Sequence, residues 1–244
     1  MDSGYYAACT GLRTQNQALD LIANNLANIS TIGYRRQSAS FQSLVAAQPS
    51  MMSEINDAIN NFNVLDKTTV DLTAGSLQHT GNPLDLAIEG NAFFVVQAAA
   101  GSLYTRAGNF QLSATGRLVT AEGDPVLGGQ GSITLPPGEV TVSADGTISV
   151  NGAVVDQLRI VRFPADATLA SVGGSYYSAD ATSALPAPGA QVRQGMIEGS
   201  NVDAVKAVGQ LITVQRQAEM LQRALSVFYA DFNQTAATDL PRVS

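Results

Sequence analysis

The 244-residue sequence contains no tryptophan, one cysteine and one histidine, and only 14% of its residues are charged. A single cysteine excludes an internal disulfide framework. Because Cys9 and His79 are alone of their kinds, the sequence does not offer the three or four converging ligands of a zinc site. A catalytic triad would have to include His79, which has no acidic residue within five positions. We therefore predict no catalytic residue, no metal and no cofactor.

Long apolar runs and an excess of basic charge are also missing. No run of 18 apolar residues occurs, so we predict no membrane-spanning helix. The first residues contain neither a basic region nor a continuous apolar region, and we therefore expect no cleaved secretory signal. The formal net charge of −7 argues against nucleic acid as a partner. Nothing in the sequence points to a small-molecule substrate.

The few charges that are present are unevenly distributed. Soluble domains contain about 25% charged residues, so a content of 14% predicts that neighbouring molecules cover much of the surface. Residues 1–48 have a net charge of +1 and residues 193–244 a net charge of 0. Residues 49–192 contain five basic and thirteen acidic side chains and so have a net charge of −8. The ends are nearly neutral, and the middle is acidic.

Both ends of the sequence have apolar residues at alternating spacings of three and four, which is typical of a helix that packs on a partner. At the N-terminal end these positions, one of them polar, are Tyr5, Ala8, Leu12, Gln15, Leu19, Ile22, Leu26 and Ile29. At the C-terminal end they are Ala204, Ala207, Leu211, Val214, Ala218, Leu221, Leu225, Phe228 and Phe232. We predict a first helix of about 25 residues that ends at Gly33. The second should follow N-cap oxygens in residues 200–203 and stop before Pro241.

Between these helices, short β-branched runs alternate with turn dipeptides. Residues 140–155 predict a three-stranded meander with Asp-Gly and Asn-Gly turns, and residues 158–163 predict a further strand. Residues 82–165 therefore form a mostly antiparallel β domain. Residues 34–81 are predicted to be a connecting segment, and residues 166–199, rich in glycine and proline, a loop-rich return segment.

The predicted fold class is α+β, with N- and C-terminal heptad helices that pair as a coiled coil around the inserted, mostly antiparallel all-β domain. The helical regions are residues 1–33 and, together with a tail, residues 200–244. A pair of helices buries too little apolar surface to be stable alone. We therefore expect copies of the chain to complete this burial when they assemble.

Three segments carry a resemblance to a known family. Residues 23–36 (ANNLANISTIGYRR) resemble the N-terminal signature of the bacterial flagellar rod and hook proteins. Residues 104–112 (YTRAGNFQL), continuing through 116–120 and 123–128, resemble the core of that family's β domain. Residues 194–202 (QGMIEGSNV) resemble the segment that opens its C-terminal helix. The resemblance extends over essentially the whole chain.

The resemblance implies a structural, non-enzymatic subunit that polymerises into an axial tube, with terminal helices inside and the β domain outside. It also implies partners, namely further rod subunits and the flagellar type III export apparatus, and a location in the basal-body rod that crosses the periplasm. Asn24, Asn25 and Asn28 would either hydrogen-bond to neighbouring subunits or face solvent. The predicted assembly residues are Leu12, Leu19, Ile22, Asn24, Asn25, Leu26, Asn28, Leu211, Val214, Leu221, Leu225 and Phe228.

Within this family, the length of the chain leaves no room for the additional outer domain usual in hook proteins. The pattern of residues 140–152 is most similar to the proximal rod protein, whereas the tail of residues 234–244 departs from the usual ending. A distal rod or other axial protein is the alternative.

Two further function classes stay open at this level. A cell-wall glycan-acting enzyme would need paired acids such as Asp66 with Asp71 or Glu122 with Asp124. A cytosolic coiled-coil adaptor would fold along its full length without assembly.

Overall fold

The computed structural model describes residues 2–41, 65–99, 101–164 and 167–239. The chain divides into two compact units. The helical unit comprises Met1–Leu26, Ser38–Thr68 and Ala204–Ser244, and the β unit comprises Ala27–Gln37 and Thr69–Asp203. The β unit is thus larger than the predicted β domain, because it includes the return segment and the residues that follow the first helix.

Two long helices, α1 (Asp2–Ala27) and α2 (Ala204–Asp239), occupy the ends of the chain. At 1.5 Å per residue they are about 39 and 54 Å long. Helix α1 ends at Ala27, so Ile29, the last predicted heptad position, lies beyond it. A turn begins at Asn28, whose side-chain oxygen accepts a hydrogen bond of 3.1 Å from Thr31 Oγ1. Gly33 closes this turn with a φ of +70°. Pro241 lies outside the described residues.

Within the helical unit, burial along α2 follows the predicted heptad positions. Ala207 and Ala218 are buried, and Leu211, Val214 and Leu221 are half-buried between exposed neighbours. A methyl group placed on Gly11 of α1 would lie 3.4 Å from Leu221 Cδ1. The two helices of one chain therefore make contact, and this contact lies on the heptad face of α2.

The strands between the helices are short, and a 3₁₀ turn at Ala181–Ser183 accompanies them. In chain order they are β1 (Gln37–Phe41), β2 (Leu65–Val70), β3 (Leu77–His79), β4 (Leu86–Glu89), β5 (Ala92–Ala98), β6 (Gly101–Thr105), β7 (Gln111–Leu112), β8 (Leu118–Val119), β9 (Leu127–Gly128), β10 (Gly131–Ser132), β11 (Val140–Val142), β12 (Thr147–Val150), β13 (Ala153–Gln157), β14 (Ile160–Arg162), β15 (Ala170–Gly173), β16 (Tyr176–Ser178), β17 (Leu185–Pro186), β18 (Gln191–Gln194) and β19 (Met196–Glu198).

The largest sheet has six strands in the order β15-β16-β6-β5-β14-β17, and neighbouring strands in it pair antiparallel. The predicted meander is confirmed as the sheet β11-β12-β13. Its second turn places Asn151 and Gly152 at φ values of 52° and 81°, the left-handed conformation that an Asn-Gly hairpin requires. The antiparallel β character of the middle of the chain is thus confirmed.

The segment of residues 166–199, which the sequence predicts to be loop-rich, contains five short strands that make up about half of it. Strands β15 to β19 lie there, and two of them extend the six-stranded sheet beside β6. These strands have two to four residues each, too few to produce a detectable alternation of apolar and polar side chains. Apart from the β15–β16 hairpin, their partners lie far away in sequence, so local patterns do not indicate them.

Two apolar clusters lie on opposite faces of β5, because successive side chains of a strand point to opposite sides. Phe94 and Val96 belong to the larger cluster, where Phe94 meets Phe110 edge-on with ring centroids 5.0 Å apart. Phe93 and Val95 belong to the second cluster. The core of the β unit is therefore built around both faces of a single strand.

Helices α1 and α2 are long enough to cross a membrane but not apolar enough. In the described part of the chain, no helix combines the length and apolarity that crossing a membrane requires.

We predict that Phe94→Ala lowers the free energy of unfolding of the purified chain by about 3–5 kcal/mol, the usual cost of removing a buried ring. Denaturant unfolding followed by circular dichroism measures this change. Val154→Ala is the control, because Val154 is largely exposed and its truncation should cost within about 0.5 kcal/mol. Equal losses in the two variants would contradict this assignment of the core.

Candidate functional site

The three segments that carry the family resemblance meet inside the β unit. The amide of Gly33 donates a hydrogen bond of 2.8 Å to the carbonyl oxygen of Glu198. A methyl group on Gly33 would lie 2.2 Å from the amide nitrogen of Ala107, so only glycine fits where these segments cross. The residues that follow α1, the end of β6 and the approach to α2 are therefore packed backbone against backbone.

At this crossing, one carboxylate accepts two hydrogen bonds and forms an ion pair with a second arginine. Glu198 is 1% exposed and accepts a hydrogen bond of 2.6 Å from Arg35 Nη2 at Oε1. The amide of Gly75 donates to the same oxygen at 2.8 Å, and Arg106 Nη1 lies 3.4 Å from Oε2. We call Arg35, Arg106 and Glu198 the junction cluster. Because charged hydrogen bonds are about twice as strong as neutral ones, this carboxylate links four stretches of chain strongly.

Arg106 has further partners that fix its position. Its guanidinium donates to the carbonyl oxygens of Ile88, at 2.9 Å, and of Gly90. Its Cζ lies 5.5 Å from the centroid of the Phe93 ring, within the range of a cation–π contact. Burial lowers the pKa of Arg106 to about 10, although the negative charge of Glu198 opposes this shift. The guanidinium therefore remains protonated at neutral pH.

Arg35 is held by its backbone as well as by its side chain. Its amide donates a hydrogen bond of 2.7 Å to the hydroxyl oxygen of Tyr177, which is buried in the second core cluster. Burial raises the pKa of the Tyr177 hydroxyl, so it stays neutral. Arg35 Nε and Nη1 have no hydrogen-bond partner within the described part of the chain. Such incomplete pairing adds little stability, and buried charges of this kind select one arrangement of the chain instead.

Asn201 makes a second set of links beside the junction cluster. Its Oδ1 accepts a hydrogen bond of 2.6 Å from the amide of Arg36, and its Nδ2 donates to the carbonyl oxygens of Asp71 and Thr73 at 3.0 Å each. Asn201 is one of the residues 200–203 in which N-cap oxygens are predicted, but its side chain is not used for a cap. Its side chain is used across the chain instead, and α2 begins three residues later, at Ala204.

The acidic candidates for catalysis have structural partners. Asp71 accepts from Arg36 Nη2 at 2.8 Å and from Thr73, and these bonds lower the pKa of its carboxyl although partial burial acts to raise it. Glu122 accepts a hydrogen bond of 2.8 Å from the Tyr176 hydroxyl. The side chain of Asp66 lies outside the described part of the chain. Among the described residues, no group of three His, Cys, Asp or Glu side chains could hold a metal ion.

The predicted assembly residues differ in exposure. Asn24 is exposed, Asn25 is buried and Asn28 is half-buried, so the three asparagines do not form one solvent-facing set. The side chain of Phe228 lies outside the described part of the chain. The half-buried positions are Leu12, Leu19, Ile22, Leu26, Leu211, Val214, Leu221 and Leu225. That these residues contact other subunits stays a prediction.

The sequence analysis did not identify the junction cluster as an interacting set. Arg35, Arg106 and Glu198 lie in three separate motifs, and the signal that these motifs share is a charged residue within two positions of a glycine. Tyr177 and Gly75 lie outside these motifs, so nothing in the sequence indicated their roles.

The fold and the junction cluster define a structural α+β subunit whose long terminal helices are attached to a β unit. Three family models match the chain. "Flagella basal body rod protein" matches residues 6–35, "Flagellar hook protein FlgE/F/G D1 domain" residues 87–150, and "Flagellar basal body rod FlgEFG protein C-terminal" residues 193–228.

Relatives match over nearly the full length. The flagellar basal-body rod protein FlgG of Agrobacterium fabrum is 36% identical over 90% of this chain and 92% of its own length. The flagellar basal-body rod protein FlgF of Caulobacter vibrioides is 34% identical over 92% and 93%. The flagellar hook protein FlgE of Treponema pallidum is 31% identical, but the match covers 24% of its length. The chain therefore belongs to the bacterial flagellar rod and hook protein family.

We predict that Gly33→Ala destabilises the chain more than Gly81→Ala does. Gly33 and Gly81 have nearly equal φ values, +70° and +74°, so alanine at either position costs about 1–2 kcal/mol in backbone strain. A methyl group on Gly81 would have no atom within 4 Å, whereas on Gly33 it would collide with backbone, which adds about 1–3 kcal/mol. Thermal and denaturant unfolding of both variants would measure the difference, and equal stabilities would disprove the close approach.

We also predict that Glu198→Gln costs about 3–5 kcal/mol, because it leaves two buried guanidinium groups without their carboxylate. Glu89→Gln is the matched control. Glu89 pairs with Arg193 at 3.1 Å on the surface, where such a pair contributes at most about 1 kcal/mol. Chemical denaturation at neutral pH compares the two. If Glu198→Gln were no more harmful than its control, the junction cluster would not hold the segments together.

Proposed function

We propose that this chain, a structural subunit of the flagellar basal-body rod by its family, polymerises through α1 and α2 into the axial shaft of the rod. We further propose that it takes the proximal position, that the type III export apparatus carries it without a cleaved signal peptide, and that it lies where the rod crosses the periplasm. Its partners are then further rod subunits and copies of itself.

One observation carries this proposal. Each of the three regions matched by the family models contributes one member of the junction cluster, namely Arg35, Arg106 and Glu198. The matched regions also include most of both helices. The cluster therefore serves to hold the exit of α1 and the approach to α2 on the same β unit. This is a mechanical role, which suits a subunit that transmits torque through rigid packing.

The coverage of the relatives favours a rod position over a hook position. The chain spans over nine-tenths of the rod proteins FlgG and FlgF but about a quarter of the hook proteins FlgE of Treponema pallidum and Borreliella burgdorferi. The rod relatives match it at similar identities, so the choice of the proximal over the distal position rests on the sequence pattern of residues 140–152. It stays a prediction.

Electron microscopy of basal bodies from a strain lacking the gene would test the function. We expect no complete rod and no swimming, and the point at which the rod stops would show whether the position is proximal. Complementation with Leu211→Asp or Leu225→Asp should fail, because a carboxylate in the heptad face disrupts the helix pair. Gln217→Asp, on an exposed flank of α2, should restore the rod. A complete rod without the gene would overturn the proposal.

A further inference from the structure

One side chain joins the meander β11-β12-β13 to a distant part of the β unit. It belongs to Gln194, the last residue of β18, and it bonds to the edge of β11 that β12 does not occupy. Its Oε1 accepts a hydrogen bond of 3.1 Å from the amide of Val142, and its Nε2 donates one of 2.9 Å to the carbonyl oxygen of Val140. The same Nε2 donates at 2.9 Å to the carbonyl oxygen of Pro83. Gln194 thus bridges β11 and the segment that precedes β4.

The backbone that follows β18 is not available for these bonds. At Val192 the backbone still reaches the end of the meander's first strand, because its amide donates a hydrogen bond of 2.8 Å to the carbonyl oxygen of Ala144. Gly195 then turns the chain away with a φ of +73°, and its amide donates at 2.8 Å to the carbonyl oxygen of Asp85. The carboxamide of Gln194 therefore replaces the bonds that a continuing strand would make with β11.

We propose that Gln194 is a positioning residue whose carboxamide fixes the meander relative to the junction cluster. This inference rests on the proposed function, in which the subunit transmits torque through rigid packing. Strand β19 follows β18 directly, and its last residue, Glu198, belongs to the junction cluster. Gln194 thus gives the meander a polar connection to that cluster through only four residues of chain.

Apolar packing does not fix the meander in the same way. Val142, Ile148 and Val150 are buried in the larger apolar cluster, but the hydrophobic effect that holds them there is non-directional. Hydrogen bonds require distances and angles within narrow limits. Three of them from one planar group therefore select one position of the meander on the core.

Hydrogen exchange of the purified full chain tests this role. Gln194→Ala should speed exchange of the Ile148 and Val150 amides, which lie one strand further from Gln194 than β11 does. We expect an increase of about tenfold to a hundredfold, the usual effect of leaving buried backbone groups without partners. The amides of β5 should exchange as in the wild type. Gln191→Ala is the matched control, because Gln191 lies exposed at the other end of β18 and its loss should change neither strand.

The pattern of exchange decides between this role and a purely local one. If only the Val142 amide exchanged faster, Gln194 would be a local hydrogen-bond partner and the inference would fail. Faster exchange in β5 as well would also overturn it, since the residue would then support the whole β unit and not the position of the meander.

Gln194→Glu separates the two kinds of bond. A carboxylate can still accept from the Val142 amide, but it has no hydrogen to donate to the carbonyl oxygens of Val140 and Pro83. We therefore expect this variant to speed exchange in β12 as Gln194→Ala does. Wild-type exchange in Gln194→Glu would show that the bridge to Pro83 is not needed, which contradicts the inference.

Complementation of the deletion strain connects this role to the rod. Cells with Gln194→Ala should build fewer complete rods and swim more slowly than cells with Gln191→Ala. Wild-type swimming with Gln194→Ala, despite faster exchange in β12, would overturn the inference and leave the proposed function standing. A complete rod in the deletion strain itself would refute the proposed function and, with it, the role of Gln194 in the rod.

Discussion

The carboxylate of Glu198 is the interaction on which the junction depends. Removing a charge from water costs several kcal/mol, and Glu198, Arg35 and Arg106 are all buried together. The cost is offset only when all partners are in place, because the carboxylate must reach two guanidinium groups and the amide of Gly75. Segments distant in sequence therefore reach their positions together, and an arrangement that misplaces any one of them leaves a charge buried without its partner.

This shared carboxylate also explains why the chain places glycine where it does. Gly33 bonds to the carbonyl oxygen of Glu198, and a side chain there would meet the backbone that follows β6. Gly75 lies so close to Gly199 that a methyl group would be 2.0 Å from its carbonyl oxygen. The charges can meet only because these backbones touch. Glycine and arginine in the N-terminal motif thus serve one purpose: glycine permits the approach that arginine then stabilises.

Local signals in the sequence predicted local structure well. The heptad spacing predicted both helices, and the Asn151–Gly152 turn predicted its hairpin, because these patterns depend on near neighbours. Long-range pairings were missed. Arg35 and Glu198 are 163 residues apart, and no local pattern indicates that they meet. Asn201 lies in the stretch of residues 200–203 where N-cap oxygens were predicted, whereas the fold uses its amide to join distant segments.

The charge distribution constrains how copies can associate. Residues 49–192 have a net charge of −8, which opposes the close approach of this region in two copies, while the terminal regions are nearly neutral. The proposed assembly through the helices avoids this charge penalty, because the helical ends have almost no net charge. An acidic middle region between nearly neutral ends therefore opposes contacts between copies through the acidic part of the chain. The acidic excess of the sequence therefore lies between the two helices, and the helices themselves have almost no net charge that would oppose their association.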